Sequence, residues 1–144
     1  MPVSFRIFPR RGLVVVRYAG FATIDETVAA SRAYVGDRHY AAGQKQLVDM
    51  TDITGFEKDY VRFMELQATK AERLAGAGVQ SLVVYIAPTP ISKEVSAMFM
   101  RSWADVDAVV PLVQDSEANA LALLGQSETS IASLLPCVDG PALQ

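Results

Sequence analysis

The sequence predicts an α/β domain: a five-stranded mixed sheet with four helices and an N-terminal β-hairpin. Three observations carry that expectation. Short β-branched runs alternate with longer segments of helical periodicity; the first two runs follow one another with no helix between them; and Ser81 to Ala87 contains the uninterrupted run Leu-Val-Val-Tyr-Ile expected of a strand covered on both faces. Strands separated by helices pair in parallel through right-handed crossovers, so the hairpin is what makes the sheet mixed.

The first strand alternates Val3, Phe5 and Ile7 with Ser4, Arg6 and Phe8, is broken from Pro9 to Gly12, and is answered by the β-branched run Leu13 to Tyr18 before a turn at Gly20. Thr23-Ile24-Asp25-Glu26 has the form of a capping box and opens a helix from about Ile24 to Val35, with Ile24, Val28 and Val35 facing inward. Lys45 to Met50 reads as a buried strand with Asp49 near its end. A second capping-box pattern, Thr54-Gly55-Phe56-Glu57, predicts a long helix to about Ala75, with Tyr60, Phe63, Met64, Ala68, Ala71 and Leu74 as its apolar side and Gly76 and Gly78 as its stop.

After the central strand, Thr89 is placed to cap a helix with Pro90 in its first turn, where a missing amide hydrogen costs little. Ile91, Val95, Met98, Phe99 and Val106 recur at helical spacing to about Asp107. Val109 to Val113 carries Pro111, which cannot donate to a ladder, so this strand belongs at a sheet edge. Ser116 caps a last helix through Leu124, ended by Gly125. The expected organisation is one domain over residues 1–125 and a C-terminal tail, 126–144, packed or loose.

A 144-residue chain that is 51% hydrophobic can bury a core without a disulfide framework or a structural metal. One cysteine, Cys137, and one histidine, His39, argue against both, and Cys137 reads as an incidental thiol. The expected setting is the cytoplasm: the N-terminus has no signal-peptide apolar run, and no apolar stretch is long enough to span a bilayer. A net charge of −3 argues against general nucleic-acid binding. The charge is uneven, with 13 bases against 10 acids through Arg101 and six acids with no base beyond it; a solvated acidic end is the favoured explanation.

The order of elements, with Tyr18-Ala19-Gly20-Phe21-Ala22-Thr23 entering the first helix, Gln46-Leu47-Val48-Asp49-Met50-Thr51 entering the second and Val109 to Leu124 closing the domain, resembles the SpoIIAA-like fold of STAS domains and of STAS/SEC14-type bacterial proteins. The resemblance spans about Val3 to Gly125. It implies a non-enzymatic regulatory or protein-interaction module, homodimeric, without a cofactor. Anti-sigma antagonists of this family carry a phosphorylated serine at the start of the second helix. Here only Thr54 offers a hydroxyl at that place, and N-capping is favoured over phosphorylation. Thr54, Glu57, Lys58 and Tyr60 form the candidate phospho-switch or partner face. The SEC14-type relatives imply the alternative of a carrier or sensor of a small apolar or lipid-like ligand.

Asp49 and Asp52 bracket a strand end, where α/β sheets bind ligands, and are weak metal candidates lacking a third ligand; an acidic turn satisfying local amides is favoured. His39 lies in a polar connector and is expected to be exposed. No Gly-x-Ser-x-Gly elbow is present, and Gly76 and Gly78 precede a strand where a dinucleotide fingerprint needs glycines after one. Met98, Phe99, Met100 and Trp103 spread apolar surface around the third helix, so they are candidates for an interface or ligand face, or else fold under the C-terminal tail. No catalytic residue is expected.

Overall fold

A computed structural model describes residues 2–134. The elements run β1 (Val3–Phe8), a 3-10 turn (Pro9–Arg11), β2 (Leu13–Ala22), α1 (Ile24–Val35), β3 (Lys45–Phe56), α2 (Tyr60–Gly76), β4 (Ser81–Ile86), α3 (Pro90–Ser102), β5 (Val109–Gln114), α4 (Glu117–Leu123) and α5 (Ile131–Leu134). The α/β class, the hairpin and the five-stranded mixed sheet are as the pattern predicts: β1 pairs antiparallel with β2, and β2, β3, β4 and β5 are parallel in that spatial order. Pro111 lies in β5, at the sheet edge.

Parallel strands added in one direction through crossovers of one hand put their helices on one face. Period-2 alternation then sorts the strand residues between two cores. Val48, Met50, Val83 and Tyr85 pack with Ile24 of α1, Phe63 of α2 and Val95, Met98 and Phe99 of α3. Their neighbours Leu47, Val84 and Ile86 pack on the opposite face with Ala120, Leu121 and Leu124 of α4 and Ile131 and Leu134 of α5. Among the described residues of the tail, 126–134 therefore includes a buried turn of helix. Arg11 ties this segment down through Gln126 and a two-pronged contact with Glu128, at 2.8 Å each.

Three boundaries differ from the sequence reading. Gly20, at φ 70°, is an irregularity inside β2, which continues to Ala22 with register shifts against β3. Strand β3 runs six residues further, through Phe56, so Thr54-Gly55-Phe56-Glu57 is no helix start; α2 begins at Tyr60 with Asp59 as its cap, accepting from the Arg62 amide. Helix α3 ends at Ser102, with Trp103 as its C-cap. The capping boxes at Thr23/Glu26 and Thr89/Ser92 both form. No helix among the described residues is long and apolar enough to cross a membrane.

Candidate functional site

The long β3 disperses the first group of candidate residues. Thr54 is exposed near the end of β3, six residues before α2 begins, and Asp59 is the N-cap of α2, so capping by Thr54 does not occur. Glu57 instead reaches across to α1 and accepts from the Ile24 amide at 3.0 Å, beside the Thr23/Glu26 box. One helix N-terminus thus draws on two carboxylates. Lys58 and Tyr60 are exposed.

At the carboxyl ends of the strands, Asp49 is buried and already engaged. Its Oδ1 accepts from the Thr51 amide at 3.0 Å and hydroxyl at 2.5 Å, and its Oδ2 faces Arg17 Nε at 3.3 Å. Asp52 is exposed. No group of three His, Cys, Asp or Glu side chains suited to a metal occurs among the described residues. His39 is exposed, with Arg38 against its ring and its backbone held by Asp37 and Gln44. Cys137 lies outside the described residues.

The apolar candidates on α3 are core. Met98, Phe99 and Trp103 are 8%, 3% and 7% exposed, and Met100 is half-buried against the same cluster. Phe99 is the hub of an aromatic group, within 4.9–6.0 Å of the rings of Phe63, Phe56, Tyr85 and Tyr18. What covers these residues is the sheet and α2, and the described part of the tail packs on the opposite face. An external interface through Phe99 and Trp103 is therefore closed off by the fold itself, whereas a ligand face is not, because both line a cavity.

That cavity, about 100 Å³, lies between the sheet and the later turns of α1 and α2. Its floor is Val16, Val48, Val83 and Tyr85, and its walls include Ala30 and Tyr34 of α1 and Gln67, Lys70 and Leu74 of α2. Helix α1 presents small residues there, Ala30 and Ser31, and three of the four floor residues are valines, which leaves room between the layers. A second depression of about 310 Å³ runs between α1 and α2 and shares Ser31, Lys70 and Arg73 with the cavity, so these three stand at the junction.

Polar side chains line much of the cavity, and several of them pair with one another. Trp103 Nε1 donates to the Tyr85 hydroxyl at 2.9 Å, the Tyr18 and Thr27 hydroxyls are 3.3 Å apart, and the Tyr34 hydroxyl donates to Gln44 Oε1 at 2.5 Å. Burial pushes the Tyr18 phenol up to about 12, against the Thr27 hydrogen bond. Burial raises Tyr85 and Tyr34 as well, so all three rings stay neutral.

Gln67 is the exception. Its amide nitrogen donates to Ser102 Oγ at 3.0 Å, and that hydroxyl's own proton is committed to the Phe99 carbonyl at 2.5 Å. The orientation of the amide is fixed by this chain, which leaves Gln67 Oε1 buried with no donor. One turn further along α2, burial lowers the Lys70 ammonium to about 8, and the Arg73 guanidinium pushes the same way. No carboxylate partner to Lys70 occurs among the described residues.

Sequence reasoning passed over Gln67 and Lys70. A signal was present: counted from Phe63, Gln67 falls at i+4 and Lys70 at i+7, on the stripe that buries Phe63 and Leu74. Comparison with known protein families and with curated proteins finds no match for this chain, so the use of the site rests on its geometry.

Proposed function

We propose that the chain is a binding module for a small, mainly apolar molecule held between the sheet and α1 and α2, the smaller-ligand form of the carrier-or-sensor alternative. The observation that supports this most is the cavity itself, free space enclosed by the sheet, α1 and α2. Gln67 lines it and carries a buried Oε1 without a donor, an unmade hydrogen bond that costs stability. Size narrows the ligand. A cavity of ~150 Å³ takes a benzene ring, so about 100 Å³ takes roughly four carbon atoms, far short of a lipid acyl chain. The walls offer binding and orientation, with neutral phenols and no assembled acid–base pair, which fits a module without catalysis of its own.

The test is native mass spectrometry of the chain purified without added ligand, joined to amide chemical-shift titration with 1-pentanol. Shifts confined to α1, α2 and the strand residues beneath them, abolished by the cavity-filling substitution Ala30→Leu, are the expected result. Shifts that survive Ala30→Leu unchanged count against the pocket.

A protein-interaction role of the STAS-like type is the second reading, and exposed apolar side chains favour it. Tyr60, Val61 and Met64, 52%, 74% and 46% exposed, share the outward side of the first turns of α2, at the end of the sheet where Phe21 is also exposed. On this reading Lys58 and Tyr60 belong to a partner-facing surface in a cytoplasmic regulator, a homodimer being one form of it. Sedimentation of the chain and of Val61→Glu tests the dimer: a dimer dissociated by the substitution supports it, and a monomer in both removes it.

A further inference from the structure

We infer that the pocket takes a small carboxylate with an apolar tail, its carboxylate group at Lys70 and Arg73 and its tail in the cavity. The inference rests on the proposed binding role and deepens it by naming the ligand's chemistry.

Helix α2 lays three polar side chains along one face at i, i+3 and i+6: Gln67, Lys70 and Arg73. Their exposure rises in that order, from 1% at Gln67, through half-buried Lys70, to exposed Arg73. Polarity is graded with it, from a single neutral acceptor inside to two like charges at the junction with the α1–α2 groove. Two cations one turn apart repel, and Lys70 has no carboxylate to offset either that repulsion or its own loss of solvent. An ammonium drawn partly out of water with no counter-ion beside it favours an anion there, so half-buried Lys70, shared by the cavity and the groove, marks where the carboxylate would sit.

The rest of the cavity specifies what that anion is attached to. Val16, Val48, Val83 and Phe99 give the cavity an apolar side that suits a hydrocarbon tail, which inorganic phosphate or another compact polyanion does not have. Four carbons fill roughly the available space.

The experiment is a chemical-shift titration of the full chain with pentanoate, 1-pentanol, pentylamine and inorganic phosphate. Pentanoate is expected to bind at least about tenfold more tightly than 1-pentanol or pentylamine, with a dissociation constant on the order of a millimolar. Phosphate is expected not to displace it. Lys70→Met and Arg73→Gln should each lower the ratio of pentanoate to 1-pentanol affinity; Arg73 is exposed, so its variant reports even where Lys70→Met does not fold. If pentanoate and 1-pentanol bind alike, if phosphate competes, or if the preference survives Arg73→Gln undiminished, the carboxylate inference falls and the pocket stands. If none of the probes shifts a cavity residue, both fall together.

Discussion

The two faces of the sheet are built from the same strands and packed to different standards. On the face covered by α4 and α5, Phe8, Leu13, Leu47, Val84, Ile86 and Leu121 are buried in an all-apolar cluster. On the face covered by α1, α2 and α3, larger aromatic residues leave a cavity, and buried hydroxyls and amides need one another as partners. The difference teaches where the chain is loosely filled. Close packing fixes a single state on one face, whereas the other keeps free volume and a buried acceptor without a donor.

Substitutions can break or sharpen this contrast. The largest effect is expected from Leu121→Ala on the closed face, a loss of about 3 kcal/mol in urea unfolding, because a rigid apolar cluster cannot collapse into the hole. Enlarging a side chain should then separate the faces by sign. Ala120→Leu overpacks the closed face and should cost about 1–3 kcal/mol, while Ala30→Leu fills existing space and should stabilise by up to about 1 kcal/mol. A loss of stability in both would mean that the α1 side has no usable room.

Lys70→Met should stabilise the unliganded chain by about 1 kcal/mol at neutral pH, a figure discounted for the side chain's partial exposure. The sign follows from linkage. Folding lowers the lysine from 10.5 to about 8, so its penalty on the native state is full below pH 8, shrinks as pH rises from there to 10.5 and is gone above it. The advantage of the variant should fade over that interval when unfolding midpoints are compared. A constant advantage would point to packing alone.

The smallest effect concerns the docked tail. Hydrogen bonds from Arg11 hold the Glu128 carboxyl down at about 2, below its ordinary 4.5. Its contribution is therefore present above pH 4.5 and lost as pH falls from there to about 2. Amide protection at Ile131 to Leu134 should drop over that range with little movement of the global midpoint; unchanged protection would show that the apolar contacts of Ile131 and Leu134 suffice.

Where local chemistry decides an element, the sequence was readable. Thr23 and Glu26 cap α1 as their spacing says, Pro90 sits in the first turn of α3, and Pro111 marks the edge. Thr54 to Glu57 misled because the same letters serve a tertiary purpose. Gly55 lies in β3 opposite Phe21, whose ring would come within 2.9 Å of any Cβ there, and Glu57 spends its carboxylate on a different helix. The apolar surplus on α3 was visible, but which neighbours bury it depends on how α2 and the sheet meet. The cavity was less legible still. It is bounded by Ala30 and Ser31 of α1 together with Val48 and Val83 of the sheet, residues far apart in the chain that only the tertiary fold brings together.

Every strand hydrogen-bonds to its neighbour in sequence, from β1 through β5, and no later strand has to be threaded between two earlier ones. Such a sheet can grow by one strand-and-helix unit at a time as the polypeptide is synthesised, with the short loop closures that favour fast folding. The half that holds the cavity is complete once β5 has joined, while the opposite face stays bare until α4 and α5 arrive. A released chain truncated after Gln114 should therefore keep every residue that lines the pocket and display an oily sheet surface that calls for a chaperone.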